Sequence, residues 1–252
     1  LAYSFCAMFF AMISCSLLGV FVAWQKISYF SDSLSHAVLL GIVLSLIFDV
    51  NQVLALVIFA VAFAALIFMI AQNRDSTIMI SSYFCIALAL ILNNLFLQNI
   101  DLESYILGDI KNAGALDVLV LLGVSLVSIG YVMLGYKKIL LLNLSEDLAR
   151  ISGVNARLWH LSFLILLAVV VALTVRVAGI FLTTALLVFP PAIARIFSKS
   201  APQMIWFSSL IGMAGSFFSF VLANSLNLSV APLLIIIFGL VFFTVRVVQS
   251  LR

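Results

Sequence analysis

Two residues in the stretch SYFSDSLSHA, residues 28–37, have the types and spacing to bind a metal ion. Asp32 and His36 stand four apart, so on a helix they share one face. A carboxylate and an imidazole are good ligands for zinc or manganese. Counted from Lys26 along a continuous helix, His36 lies about 15 Å in, near the middle of a hydrocarbon layer about 30 Å thick. An aspartate at that depth costs about 2.5–3.5 kcal/mol on insertion scales, so such a pair belongs on a polar pathway. The same residues admit a plainer reading. Ser31, Asp32 and Ser33 can cap a helix that starts near Leu34, leaving His36 at an interface. Spacing alone leaves both open.

A second stretch, VAGIFLTTALLVFPPAIAR over residues 177–195, combines small residues with prolines. Gly179, Thr183, Thr184 and Ala185 let helices approach closely, and Pro190-Pro191 removes backbone donors and bends or ends a helix. This is either a packed, kinked span or a pore-lining helix with a hinge, for which Thr183, Thr184 and Pro190 are the candidates. Arg176 reads as an interfacial anchor whose stem lies along the apolar surface, or as a charge at the outer mouth. His160 follows Trp159 at the end of an apolar run and reads as structural. Asn93 and Asn94 are expected to bond between helices. Asp101, Glu103 and Asp109 form an acidic outer region that can attract cations or a binding protein. Cys6, Cys15 and Cys85 sit in apolar runs without a CxxC pair and read as small packing residues. No GxxxxGK[ST] loop is present for ATP, and neither HExxH nor GxSxG appears. No catalytic residue is assigned, and the chain is not read as an enzyme.

The elements that must position these residues follow from composition. Of 252 residues, 66% are hydrophobic and 8% charged, against about 45–50% and about 25% in soluble domains. Most of the outer surface must therefore meet lipid. The net charge of +3 gives no reason to expect nucleic acid, and the start shows no cleavable-signal pattern. Apolar runs of crossing length occur at roughly 2–23, 29–48, 52–71, 78–97, 116–135, 158–175, 178–194, 204–223 and 231–247, about nine spans with eight as the alternative. Only Arg176 separates the sixth from the seventh. Continuous runs argue for helices, since unpaired amides are not tolerated in lipid, and against a barrel. The fold class is thus all-α, a polytopic bundle forming one domain over 1–252. With the N-terminus outside and the C-terminus cytoplasmic, ten of the 12 lysines and arginines fall inside, and only Lys111 and Arg176 outside. One sizeable cytoplasmic segment remains, at about 138–157. Asn143 or Ser145 can cap a short helix there, Glu146 and Asp147 suit its first turn, and Gly153 can end it. It is either an interfacial anchor or a docking element for a soluble partner.

Taken together, these stretches resemble the metal-uptake permease family of bacterial ABC transporters, nearest to its high-affinity zinc-uptake branch. SYFSDSLSHAVLLG is similar to the family's SYFGDxLAHxxLLG, LESYILGDI to its YLFGD segment, and SEDLARISGV to its cytoplasmic loop. VAGIFLTTALLVFPPAIAR is similar to its VGALLITALLIIPAAxAR run. The matches fall in order along nearly the whole chain. Ser31 stands where the family has glycine, and Leu228-Ser229-Val230 precedes Pro232 where it often has Pro-Ala/Ser-Gly. The resemblance implies that Asp32 and His36 belong to a metal pathway. It also implies that Glu146, Asp147, Ala149 and Gly153 lie in a loop that docks a separate ATPase subunit. The expected partners are that ATPase, an extracytoplasmic metal-binding protein and a second permease copy, in a bacterial inner membrane and its lipid. The cargo is Zn2+, with Mn2+ or Fe2+ as alternatives, and no resident cofactor is expected. A stand-alone channel or proton-coupled carrier, or a non-transporting scaffold, are the competing classes. Both leave the 138–157 segment or the Asp32–His36 pair without a purpose.

Overall fold

The computed structural model describes residues 2–70, 75–97, 102–108, 110, 113–144, 149 and 151–250. The described residues are helical and contain no strand. The helices are α1 (Ala2–Gln25), α2 (Ser28–Ile47), α3 (Gln52–Ile70), α4 (Asp75–Phe96), the short α5 (Glu103–Leu107), α6 (Ala115–Leu144), α7 (Ala156–Phe197), α8 (Ala201–Leu226) and α9 (Val230–Ser250). All but α5 are long and apolar enough to cross a membrane, 8 helices in all.

The expected sixth and seventh spans form one element, the 42-residue α7, broken at Gly179. That glycine has φ 81° and ψ 168° inside an otherwise helical run. Contacts with α1 show that α7 turns back there. Phe21 packs edge-on to Phe163 with centroids 6.2 Å apart, and the Cys15 thiol lies 3.9 Å from the Thr174 hydroxyl. Gly19 nevertheless abuts the Leu187 carbonyl and Pro191. A straight helix would put Pro191 about 42 Å from Phe163, so it could not touch the turn of α1 that also holds Phe21. The arms 156–178 and 180–197 are each about 27 Å long or longer and run in opposite directions. Eight helices thus supply nine crossing segments, and the helix break is at Gly179, not at Pro190, which stays helical.

Burial separates a centre from a rim. Over their most apolar windows α7, α2 and α1 bury 78%, 72% and 67%, whereas α3, α4 and α6 bury 28% each and α9 22%. The central helices are rich in small residues: Ser14, Cys15 and Ser16 on α1, Ser31, Ser33 and Ser35 on α2, and Thr174, Ala178 and Thr183 on α7. Without a hydrophobic drive inside lipid, such residues let backbones approach and gain dispersion. Ser208 of α8 donates to the Ser16 carbonyl of α1 at 3.0 Å, and the Trp24 indole donates to the Met204 sulfur at 3.1 Å. Rim helices expose Phe84, Leu95, Leu134, Trp206 and Phe218, the surface expected against acyl chains.

Three tight reversals share one device. Lys26, Asp49 and Asn227 have φ of 57°, 49° and 53°, and each is followed by an amide bonded five residues back. The pairs are Ile27 to Val22, Val50 to Ser45 and Leu228 to Ala223, at 3.2, 3.1 and 3.0 Å. This Schellman pattern satisfies the last carbonyls of a helix. One end of the bundle carries Lys26, Trp159 and Lys199, and the other carries Gln52, Asp117 and Arg176.

Candidate metal pathway

The reversal at Lys26 decides between the two readings of Asp32. Helix α2 starts at Ser28, Ile27 stands at its N-cap, and no side chain caps it. Asp32 therefore lies inside the helix, not at its start, and the capping explanation does not hold. The Asp32 carboxylate and the His36 imidazole are 3.9 Å apart, with 57% and 34% of their side chains exposed. Two donors on one ion at bond lengths of about 2.0–2.2 Å are separated by about 3–3.5 Å. A small side-chain rotation would bring both to one cation. The neighbouring hydroxyls turn inward: Ser31 donates to the Ser28 carbonyl at 2.8 Å and Ser35 to the Ser31 carbonyl at 2.9 Å. His36 lies about 12 Å from the start of α2. The Asp32 carboxylate lies about 6 Å from that start, and an ionisable pair open within a crossing segment belongs against water or protein, not acyl chains. Among the described residues no third His, Cys, Asp or Glu joins the pair.

The opposite end holds a second charged pair that the sequence reading placed differently. Arg176 is not a free interfacial anchor. Its Nη1 lies 3.0 Å from the Asp117 carboxylate, and its Nε donates to Gln52 at 3.1 Å. The other Asp117 oxygen accepts the Gly114 amide at 2.9 Å. The starts of α3 and α6 are thereby tied to the first arm of α7, just ahead of the Gly179 turn. Asp117 was missed because nothing local marks it: its partner is far away in the chain. Beside this node the backbone after α5 approaches the backbone of the α7 turn closely. Gly108 has φ 76°, and a Cβ there would collide with the Ala178 carbonyl, as one on Gly179 would with the Gly108 amide.

The remaining candidates separate by how much the structure describes. Thr183 is buried and donates to the Gly179 carbonyl at 2.7 Å, and Thr184 donates to the Ile180 carbonyl at 3.1 Å. Both hydroxyls serve their own helix around the turn. In the 138–157 segment α6 runs on to Leu144, so the backbone at position 143 is still part of that helix. Glu146 and Asp147 lie outside the described residues. Ala149 is fully buried, and the Val154 amide bonds its carbonyl at 2.9 Å around Gly153, with φ 72°. Gly153 thus ends a helical turn, as expected. The cap of α7 is Asn155, whose side chain accepts from the Leu158 amide at 3.2 Å. His160 stacks near Phe68 with centroids 6.0 Å apart, in line with a structural role. The three cysteines are unbridged.

Comparison with known proteins places this architecture. The chain is 32% identical over 214 residues to the high-affinity zinc uptake system membrane protein ZnuB of Buchnera aphidicola subsp. Schizaphis graminum, covering 81% of this chain and 82% of that protein. It is 28% identical over 229 residues to the manganese import system permease protein ScaB of Streptococcus gordonii, covering 89% and 82%. Among solved structures, a chain of PsaBC from Streptococcus pneumoniae in complex with Fab superimposes with a TM-score of 0.86 at 24% identity, over 97% of this chain and 90% of that one. Residues 1–249 match the ABC 3 transport family, and the chain belongs to that family.

Proposed function

We propose that this chain is the membrane permease of an ATP-driven importer for a divalent metal ion, with zinc as its cargo and Asp32 and His36 as pathway ligands. The observation that carries this is the open Asp32–His36 pair on α2, a helix otherwise among the most buried. An ionisable pair exposed at membrane depth is a functional feature by default. Two ligands per chain make a weak site, and a transport site must release what it binds. The relatives named for zinc and manganese uptake support the cargo class, and the higher identity to a zinc protein supports zinc. Manganese is the second reading, favoured by the carboxylate, a harder ligand than imidazole.

The Lys26 end faces the cytoplasm in this reading, because the described lysines and arginines other than Arg176 gather there. The segment around Ala149 and Gly153 then docks an ATPase subunit at the inner face of a bacterial plasma membrane. The Arg176 end receives an extracytoplasmic metal-binding protein. A second copy of the chain covers the open face of α2 and adds its own Asp32 and His36. ATP binding and hydrolysis in the partner switch the bundle between two access states, and no bond is made or broken on this chain.

The test is ion uptake by vesicles containing the complete complex, with zinc and manganese offered separately and in competition. Wild type should take up zinc in preference to manganese, and Asp32→Asn and His36→Gln should lose uptake of both while still assembling with the ATPase. Uptake at the wild-type rate in both variants would remove the pair from the pathway.

A further inference from the structure

We propose that Tyr29 is the gate at the Lys26 end of the ion's path, closing it below the Asp32–His36 pair. The inference rests on the pathway reading of that pair and extends it to a third residue. From its start to His36, α2 buries Phe30, Ser31, Ser33, Leu34 and Ser35. Tyr29 is 54% exposed, beside Asp32 at 57% and His36 at 34%. Positions 29, 32 and 36 follow the i, i+3, i+7 pattern and so form one stripe. Past His36 the stripe closes, with Leu39, Leu40 and Val43 only 4%, 6% and 0% exposed. The open face therefore continues from the pair toward the start of α2, and Tyr29 is the side chain that stands there.

Tyr29 lies about 4.5 Å along the axis from Asp32, less than the length of its own ring and hydroxyl. A phenol at that position does two things. Its ring is bulky enough to obstruct a hydrated ion, as apolar constrictions do in channels. Its hydroxyl offers a neutral oxygen, which can replace a water on a departing divalent cation without adding a charge that would hold it. Nothing else exposed on this stripe separates the pair from the Lys26 turn. A tyrosine near a membrane boundary can also be a mere interfacial anchor, and the experiment below distinguishes the two roles.

The complete complex, with ATPase and metal-binding protein, is reconstituted in vesicles, and Zn2+ entry is followed with an indicator dye with and without ATP. Tyr29→Ala should raise ATP-independent entry by about tenfold, the effect of removing a modest barrier, whereas Tyr29→Phe, which keeps the ring, should stay as tight as wild type. Should Tyr29→Ala fail to assemble, Tyr29→Leu carries the same test. Asp32→Asn and His36→Gln are run alongside. If those two lose ATP-driven uptake while the Tyr29 variant stays tight and transports normally, Tyr29 is an anchor and the gate is overturned, with the pathway intact. If both ligand variants transport like wild type, the pathway reading falls and the gate falls with it.

Discussion

The molecule carries two acid–base pairs of nearly the same composition and opposite character. At one end Arg176 and Asp117 meet at 3.0 Å with 24% and 18% exposure, and Gln52 and the Gly114 amide occupy further positions around them. In the other region Asp32 and His36 stand 3.9 Å apart with 57% and 34% exposure, and each keeps room for another partner. A carboxylate already neutralised by a guanidinium has little left to offer a cation. A carboxylate 3.9 Å from an imidazole and 57% exposed has more. The first pair ties three helices together, and the second leaves an open face on one. One pair is thus tied and the other open, according to how completely the surroundings satisfy them, and the open one is the pair proposed to serve passage.

Four measurements can break or sharpen that contrast. The tied end should be the more fragile. Gly179 has a φ/ψ combination essentially confined to glycine and abuts the α5 backbone. Gly179→Val is expected to cost at least about 3 kcal/mol, seen as a collapse of the thermal transition in detergent and of membrane yield. The open pair should behave in the reverse way. Asp32→Asn is expected to lower uptake about 100-fold, or about 2.7 kcal/mol of barrier. The same variant should shift unfolding by no more than about 0.5 kcal/mol, as exposed substitutions do. A large stability loss there would make Asp32 architectural and erase the contrast.

Asp117→Ala strands the Arg176 charge. The expected cost is about 2 kcal/mol, below the 3–5 of a fully buried pair because both groups retain some exposure. Replacing both partners, as in Arg176→Met with Asp117→Leu, should recover most of the loss in the same unfolding assay, with uptake retained. Persistent loss of uptake in the stable double variant would give the closed pair a role in transport. The smallest effect is expected at Ser200, whose hydroxyl accepts from the Gln203 amide at 3.5 Å while Gln203 accepts from the Lys199 amide at 3.0 Å. Ser200→Ala removes this N-cap bond and should cost about 1 kcal/mol, leaving metal uptake at the wild-type rate.

Much of the architecture was legible in the sequence because lipid imposes a simple rule. A run of apolar residues long enough to cross must be helical, and most of the expected segments correspond to observed helices within a few residues. The exceptions have local physical causes. Helix α6 passes straight through Lys137 and Lys138 to Leu144, since two lysines end a lipid-exposed stretch but do not end a helix. Helix α5 was not foreseen, being too short to announce itself by hydropathy. In the candidate site, the spacing of Asp32 and His36 placed them on one face but left their role open between ligand and cap. The start of α2 at Ser28 removed the cap.

By itself, then, the order of residues determined that this chain is a membrane bundle, roughly where each crossing lies, and that Asp32 and His36 share a helix face. These are consequences of composition and of the helical repeat, which act over a few turns. Only the tertiary structure decided that α7 folds back at Gly179, that Arg176 belongs to Asp117, and that Tyr29, Asp32 and His36 form the open stripe of an otherwise buried helix. Those facts depend on which surfaces meet across the bundle. Packing between distant segments sets them, and no local pattern encodes it.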